Sequence, residues 1–141
     1  MHEPEYPDSG ASAATARGRS AASEIATGMV QLTSRYSGRG PTKARTTMNT
    51  NVVLVILEEM LTRAEQSLAA AGDAHAVTEM RKTLQSMMHD EAIELVERTT
   101  GRTVRAYLST TDPVNNIGAE VFVLDSQPET GLPFIAEAEI G

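Results

Sequence analysis

The sequence predicts an α+β domain, in which an antiparallel four-stranded sheet made of two hairpins carries helices on one face. Two observations lead to this prediction. Apolar residues recur at helical spacing between residues 25 and 36 and between residues 77 and 95, and strand-like segments come in pairs, at residues 42–57 and 102–124. The predicted order of elements is α-ββ-αα-ββ. With 141 residues, two Phe, three Tyr and no Trp, the chain should form one domain with a mainly aliphatic core.

The first helix is predicted from a single apolar stripe, formed by Ile25, Met29, Leu32 and Tyr36. We expect this helix to begin near Ala21. Gly38 stands where a glycine that ends a helix belongs, and Pro41 follows it. The helix should therefore end just before Gly38.

Two hairpins are predicted. Residues 42–49 are rich in Thr and alternate in polarity, and the following run of residues 52–57 is apolar on both faces, which is typical of a central strand. Residues 102–109 alternate again, with Val104, Ala106 and Leu108 expected on one face. Residues 111–116 form a loop, and residues 117–124 form the last strand.

Two further helices are expected between the hairpins. Thr62 and Glu65 have the spacing of a capping box, which predicts a short helix that ends at Gly72. Asp73 can cap a long helix over residues 74–99, with Gly101 as its stop.

Composition predicts the domain boundaries and the cellular location of the protein. Residues 1–20, rich in Pro, Ser, Ala and Gly, are expected to be a disordered tail, residues 21–125 the folded domain, and residues 126–141 an acidic tail. The longest apolar run, residues 52–57, is far shorter than the roughly 20 residues that a membrane span needs. The chain also lacks Cys and a secretory signal. We therefore expect a cytoplasmic protein without a membrane span.

The candidate functional site is the basic turn, residues 38–45, which lies between the first helix and the first strand. It places cationic side chains in a chain whose formal net charge is -7. The candidate residues for binding a partner or an anion are Gly38, Arg39, Gly40, Thr42, Lys43 and Arg45. A second interpretation stays open, in which these cations only pair with the chain's own carboxylates. The carboxylates considered for that role are Glu58, Glu59, Glu91 and Glu94.

The sequence gives little support for nucleotide binding, metal binding or catalysis. The basic turn is not a P-loop, because it follows a helix and precedes a strand, and its glycines do not complete a dinucleotide fingerprint. The acidic residues after His89 fit an exposed helix face better than a metal site, and the loop after Asp112 fits a chain reversal. We predict no catalytic residue, no cofactor and no metal. An acidic chain also disfavours nucleic acid as a partner.

Several motifs resemble one known family, and they occur in this order along the chain: Gly38-Arg-Gly-Pro-Thr-Lys-Ala-Arg45, Val52 to Glu58, Leu61 to Glu65, Thr100-Gly-Arg-Thr-Val104 and Glu120-Val-Phe-Val-Leu124. On these motifs the chain resembles the MpsC-like domain family, a bacterial family named for a sodium-translocating, membrane-potential-generating system. The resemblance implies a small soluble protein linked to cation transport. It supplies no catalytic residue, and only the motif of the basic turn carries over.

These observations lead to two hypotheses about function. The first is an accessory or regulatory protein of a membrane cation-transport system, which acts by contact with a membrane transport protein and not as an enzyme. The alternative is a module that binds an anion, a small ligand or a nucleic acid through the basic turn. A homodimer is also expected, because a four-stranded sheet has two edges to protect.

Overall fold

The structure, a computed structural model, describes residues 10–126, and the side chains of residues 17–126. This part of the chain forms an α+β domain in the predicted order α-ββ-αα-ββ. The elements are α1 (Gly10–Ser37), β1 (Lys43–Asn49), β2 (Val52–Glu58), α2 (Arg63–Ala70), α3 (Ala74–Thr100), β3 (Val104–Asp112) and β4 (Ile117–Leu124). Most of the two predicted tails, residues 1–9 and 127–141, lies outside the described residues.

The four strands form one antiparallel sheet in the order β1-β2-β4-β3. The two hairpins therefore meet through their second strands, and β2 is a central strand, as its β-branched sequence predicts. Along β2, Val53, Val55 and Leu57 are buried, whereas the residues between them are only partly covered. The sheet thus has one covered face and one open face.

The helices pack on the covered face and enclose the core. Phe122 and Leu124 of β4 meet Ile25 and Met29 of α1 in a single cluster of buried side chains. Gly28 allows α1 to approach α3 closely, because a Cβ atom at this position would lie 2.6 Å from Leu95. The core is aliphatic apart from Phe122, as the composition predicts.

The predicted helix caps are present. The Thr62 hydroxyl accepts a hydrogen bond from the Glu65 N–H, and the Glu65 carboxylate accepts one from the Thr62 N–H, which completes the capping box of α2. Asp73 caps α3, and Gly101 ends α3 with φ 72°. These are local interactions, which explains why the sequence reveals them.

Two predicted details are wrong. Helix α1 begins at Gly10 and not near Ala21, because the alanine-rich segment before the apolar stripe has high helix propensity and extends the helix. In β3 the register shifts between Val104 and Ala106. Val104 therefore lies on the covered face, whereas Ala106 and Leu108 lie on the opposite one.

We call that opposite side of the sheet the outer face, formed by the side chains of the four strands that point away from the helices. None of the three described helices packs on it. Large apolar residues are consequently accessible there: Leu108 is 57% exposed, and Val52 and Ile117 are each 37% exposed. The sequence of β2 is apolar on both sides, yet the described chain covers only one of them.

Candidate functional site

The backbone of the basic turn is held from within the chain. Gly38 adopts φ 84°, and its N–H donates to the Ser34 carbonyl at 2.9 Å, which closes α1. The Arg39 N–H donates to the Ser37 hydroxyl at 3.3 Å, and the Thr42 N–H donates to the Glu58 carbonyl at 3.0 Å. Because these three N–H groups have internal acceptors, an anion at this turn would be bound mainly by cationic side chains.

The cations of the basic turn are only partly neutralised by the residues that the structure describes. Arg45 forms an exposed ion pair with Glu58 at 3.4 Å. The Arg39 guanidinium donates to the Glu59 backbone carbonyl at 3.2 Å and not to its carboxylate, which accepts instead from the Thr42 hydroxyl. Lys43 is exposed, and no carboxylate of residues 17–126 forms an ion pair with it. The two interpretations of this turn therefore each describe part of it.

A shallow, open depression lies between the basic turn and α2. Its lining includes the side chains of Arg39 and Arg63, together with Gln66 and Ser67. The Nε atom of Arg39 is buried and has no hydrogen-bond partner among the described residues. Two guanidinium groups beside amide and hydroxyl groups are a set of donors suited to a small oxyanion. Arg63 lies outside the basic turn, so sequence reasoning did not include it.

The acidic cluster on α3, formed by Asp90, Glu91 and Glu94, connects α3 to α1 through Glu91. Glu91 accepts hydrogen bonds from Arg35 at 3.0 Å and from the Tyr36 hydroxyl at 2.5 Å, and so ties α3 to the end of α1. The hydrogen bond to Glu91 raises the pKa of the Tyr36 phenol. His89 contacts only its neighbour Asp90 in this cluster. In the described part of the chain, no group of three or more His, Asp or Glu residues is arranged to hold a metal ion.

The loop after Asp112 is organised by its own side chains. The Asp112 carboxylate accepts hydrogen bonds from the N–H of Val114 at 3.1 Å and from Asn115, whose side-chain amide lies 2.8 Å away. The hydrogen bonds from Asn115 lower the pKa of the Asp112 carboxyl. Asn116 adopts φ 57°, and its side-chain oxygen accepts from the N–H of Met60 and of Leu61, both at 2.9 Å. This loop therefore fastens the second hairpin to the start of α2.

A buried ion pair joins α2 to α3, and sequence reasoning did not identify it. Arg81 donates to both carboxylate oxygens of Glu65, at 2.7 and 2.9 Å, and to the Met60 carbonyl at 3.0 Å. The side chains of Arg81 and Glu65 are 4% and 2% exposed. Burial alone would raise the pKa of the Glu65 carboxyl, but the hydrogen bonds from Arg81 and Thr62 outweigh it and lower that pKa.

A second buried carboxyl, that of Glu120, lies in the sheet beneath the helices. The Tyr107 hydroxyl donates to it at 2.5 Å, and the Tyr107 ring stacks on Phe122 with 4.5 Å between ring centroids. Burial raises the pKa of Glu120 to about 7. Burial and the nearby Glu120 also raise the pKa of Tyr107 well above its usual range.

Signals for these buried groups are present in the sequence. Glu120 alternates with Phe122 and Leu124 along a strand, which places all three on one face. Arg81 follows Val77 by four residues and precedes Met88 by seven, so it lies on the buried stripe of α3. A periodicity of apolar residues alone includes neither Glu120 nor Arg81, because both are charged.

Comparison with known proteins identifies the family. The sequence model of a family described as "Na+-translocating membrane potential-generating system (MpsC)" matches residues 18–126, which include every described strand, α2, α3 and most of α1. Neither the curated proteins nor the solved structures that were searched contain a match. No helix among residues 10–126 is both long and apolar enough to cross a membrane. The chain belongs to the MpsC family, whose name links it to a sodium-translocating system that generates membrane potential.

Proposed function

We propose that this protein is a cytoplasmic accessory or regulatory component of a sodium-translocating, membrane-potential-generating system. In this proposal it acts by contact with a membrane transport protein and not by catalysis. Its family membership supports the link to the system. The basic turn is the proposed contact surface, and an acidic segment of the transport protein is the proposed partner.

The incomplete neutralisation of the basic turn is the observation that carries this proposal. The net charge of the chain is -7, yet exposed Lys43 forms no ion pair with any described residue, and the one ion pair of Arg45 with a described residue is itself exposed. An exposed ion pair contributes about 0–1 kcal/mol to stability. Arg45 can therefore exchange Glu58 for an external carboxylate at small cost, and Lys43 can bind one without breaking an ion pair to a described residue.

The test is a pull-down from detergent-solubilised membranes with the wild type and with an Arg39→Ala/Lys43→Ala/Arg45→Ala variant. We expect the wild type to retain a subunit of a cation transporter, identified by mass spectrometry, and the variant to lose it. Complementary charge also predicts that added salt weakens the wild-type complex.

The matched control is an Arg19→Ala/Lys82→Ala/Arg98→Ala variant, which removes the same charge from exposed positions on α1 and α3. This control should retain the transporter subunit as the wild type does. Equal recovery by the variant of the basic turn and by the control would show that the turn has only a structural role.

A second candidate function, binding of a small anion, is favoured by the depression between Arg39 and Arg63. Phosphate and bicarbonate are the probes of choice, because both present oxygen atoms to a guanidinium pair. Binding would be measured by NMR chemical-shift changes on titration with each anion. We expect Arg39→Ala and Arg63→Ala each to abolish saturable shifts, whereas Arg98→Ala should not.

Nucleic acid belongs to the same class of alternatives and is tested separately. Labelled single-stranded and double-stranded oligonucleotides would be titrated at low and at physiological salt. Affinity that falls steeply with salt and depends on the basic turn would favour a nucleic-acid module. We expect no such binding, because the protein as a whole is acidic.

A further inference from the structure

The outer face of the sheet has the composition of a buried surface. Its centre is formed by β2 and β4, which contribute Val52, Leu54, Ile56, Ala119, Val121 and Val123. β3 adds Leu108, which is 57% exposed. Contiguous apolar surface of this kind is characteristic of an interaction site.

The charged residues that are aligned across the outer face lie toward one end of the sheet: Lys43 and Arg45 on β1, Glu58 on β2 and Asp112 on β3. Lys43 on β1 is aligned with Glu58 on β2, which is aligned with Ile117 on β4, and Ile117 is aligned with Asp112 on β3. These four aligned residues form the first row of the outer face. The row begins with a cation at one edge of the sheet and ends with an anion at the other. Lys43 and Asp112 are both exposed.

We propose that a second copy of this chain covers the outer face, with a two-fold axis parallel to the strands. This axis lays β1 of one copy against β3 of the other and β2 against β4. Each row of residues aligned across the strands then faces the same row of the other copy. The apolar centre of one copy then meets the apolar centre of the other. Lys43 of one copy meets Asp112 of the other, and symmetry repeats this ion pair at the opposite edge.

The charge pattern selects this axis over its alternative. The alternative two-fold axis is perpendicular to the strands and parallel to the sheets. It would place each strand opposite the same strand of the other copy and reverse the order of the rows. Lys43 would then face Asn49, and Asp112 would face Ala106, so neither charge would gain a partner. Only the axis parallel to the strands gives a self-complementary surface, as an isologous interface requires. Glu58 lies at the rim and keeps its ion pair with Arg45.

The area of the outer face suits a reversible dimer. Four strands at about 4.8 Å spacing and about 3.3 Å per residue give roughly 500 Å² per copy. Two copies would bury on the order of 1,000 Å², which is near the lower limit for a specific interface. We therefore expect dissociation in the micromolar range, and the measurements must span that range of concentrations.

The first experiment measures the mass of the full chain by sedimentation equilibrium. We expect twice the mass of one chain at high concentration, falling toward a single chain on dilution. Leu108→Glu places a charge in the interface and should raise the dissociation constant about tenfold or more. Met87→Glu is the matched control, because Met87 on α3 is also 57% exposed but lies away from the sheet, and it should dimerise like the wild type.

The second experiment tests the position of the axis by cross-linking. Because the chain has no Cys, introduced cysteines react without background. Chains carrying Lys43→Cys are mixed with chains of different size carrying Asp112→Cys, and a short bis-maleimide reagent is added. We expect a cross-link between the two kinds of chain. Neither a sample with Lys43→Cys alone nor a mixture of Lys43→Cys and Asn49→Cys chains should cross-link.

Two outcomes would overturn the proposal. A wild type that stays a single chain at all concentrations rules out the second copy. If removal of residues 127–141 then makes the protein dimeric, that segment is the occupant of the outer face. A cross-link between Lys43→Cys and Asn49→Cys chains shows the perpendicular axis. Lys43 belongs to both proposed surfaces, whereas Arg39 lies outside the strands. Arg39→Ala therefore separates this proposal from the proposed function, because it should weaken transporter capture while leaving the dimer intact.

Discussion

At the level of single residues, the Glu120 carboxyl links folding to pH. Its side chain is buried beside Tyr107, and burial raises its pKa from 4.5 to about 7. Between these two values the folded state holds a proton that the unfolded state has released. The contribution of Glu120 to stability is therefore fully present below pH 4.5 and is lost as the pH rises through 7.

We predict that Glu120→Gln removes this part of the pH dependence. Each unit of pKa difference corresponds to about 1.4 kcal/mol, so the wild type should lose on the order of a few kcal/mol relative to the variant between pH 5 and pH 8. Urea unfolding at several pH values measures the difference. Glu94→Gln, an exposed change on α3, is the control. Parallel pH profiles for the wild type and Glu120→Gln would contradict the prediction.

Substitution of Gly38 changes the backbone of the basic turn without changing its charge. Its φ is 84°, and no atom lies within 4 Å of the position that a Cβ atom would occupy, so a substitution is opposed by backbone conformation alone. We predict that Gly38→Ala costs roughly 1 kcal/mol of stability, and that Gly38→Asn costs less. Thermal unfolding measures both. Transporter capture by Gly38→Ala should stay close to that of the wild type, because its cations are unchanged.

At the level of elements, the Arg81–Glu65 pair is the polar connection between α2 and α3. The apolar stripe of α3 places Arg81 on the buried side of that helix, but it does not reveal that Glu65 on α2 is its partner. The elements themselves were predictable, because Thr62, Asp73 and Gly101 form local caps. The pairing of Arg81 with Glu65 depends on how α2 packs against α3, which local sequence patterns do not show.

We predict that Arg81→Met lowers the free energy of unfolding by about 3–5 kcal/mol, because it leaves the Glu65 carboxylate buried without its cation. Adding Glu65→Gln should recover much of this loss, since a Gln side-chain oxygen still accepts from the Thr62 N–H. Urea unfolding of the wild type, both single variants and the double variant forms a double-mutant cycle. Additive losses in this cycle would show that the two side chains do not act as a pair.

At the level of the whole molecule, the described core is complete within the family domain. Its buried apolar residues run from Ile25 to Leu124, and the family match covers residues 18–126. The sheet order β1-β2-β4-β3 joins strands that are distant in sequence, so local patterns predicted the hairpins but not how the hairpins meet. The position of Arg63 beside the basic turn depends on the same packing.

We predict that a chain trimmed to residues 17–126 unfolds cooperatively, with a free energy of unfolding within about 1 kcal/mol of the full chain, since it retains the core. Calorimetry of both chains measures this. A chain that starts at residue 30 loses Ile25 and Met29 from the core and should unfold at a much lower temperature. Loss of cooperative unfolding in the 17–126 chain would mean that segments outside it contribute to the core.

The stacked Tyr107 and Phe122 rings also give the folded state an optical signature. The chain has three Tyr and no Trp, so its near-ultraviolet spectrum comes from very few chromophores. The Tyr107 ring centroid lies 4.5 Å from that of Phe122, and the Tyr107 hydroxyl donates a hydrogen bond to Glu120. The pKa of Tyr107 lies well above that of an exposed phenol. In an alkaline titration its absorbance should change only when the sheet opens. This one ring can therefore report unfolding without an added label.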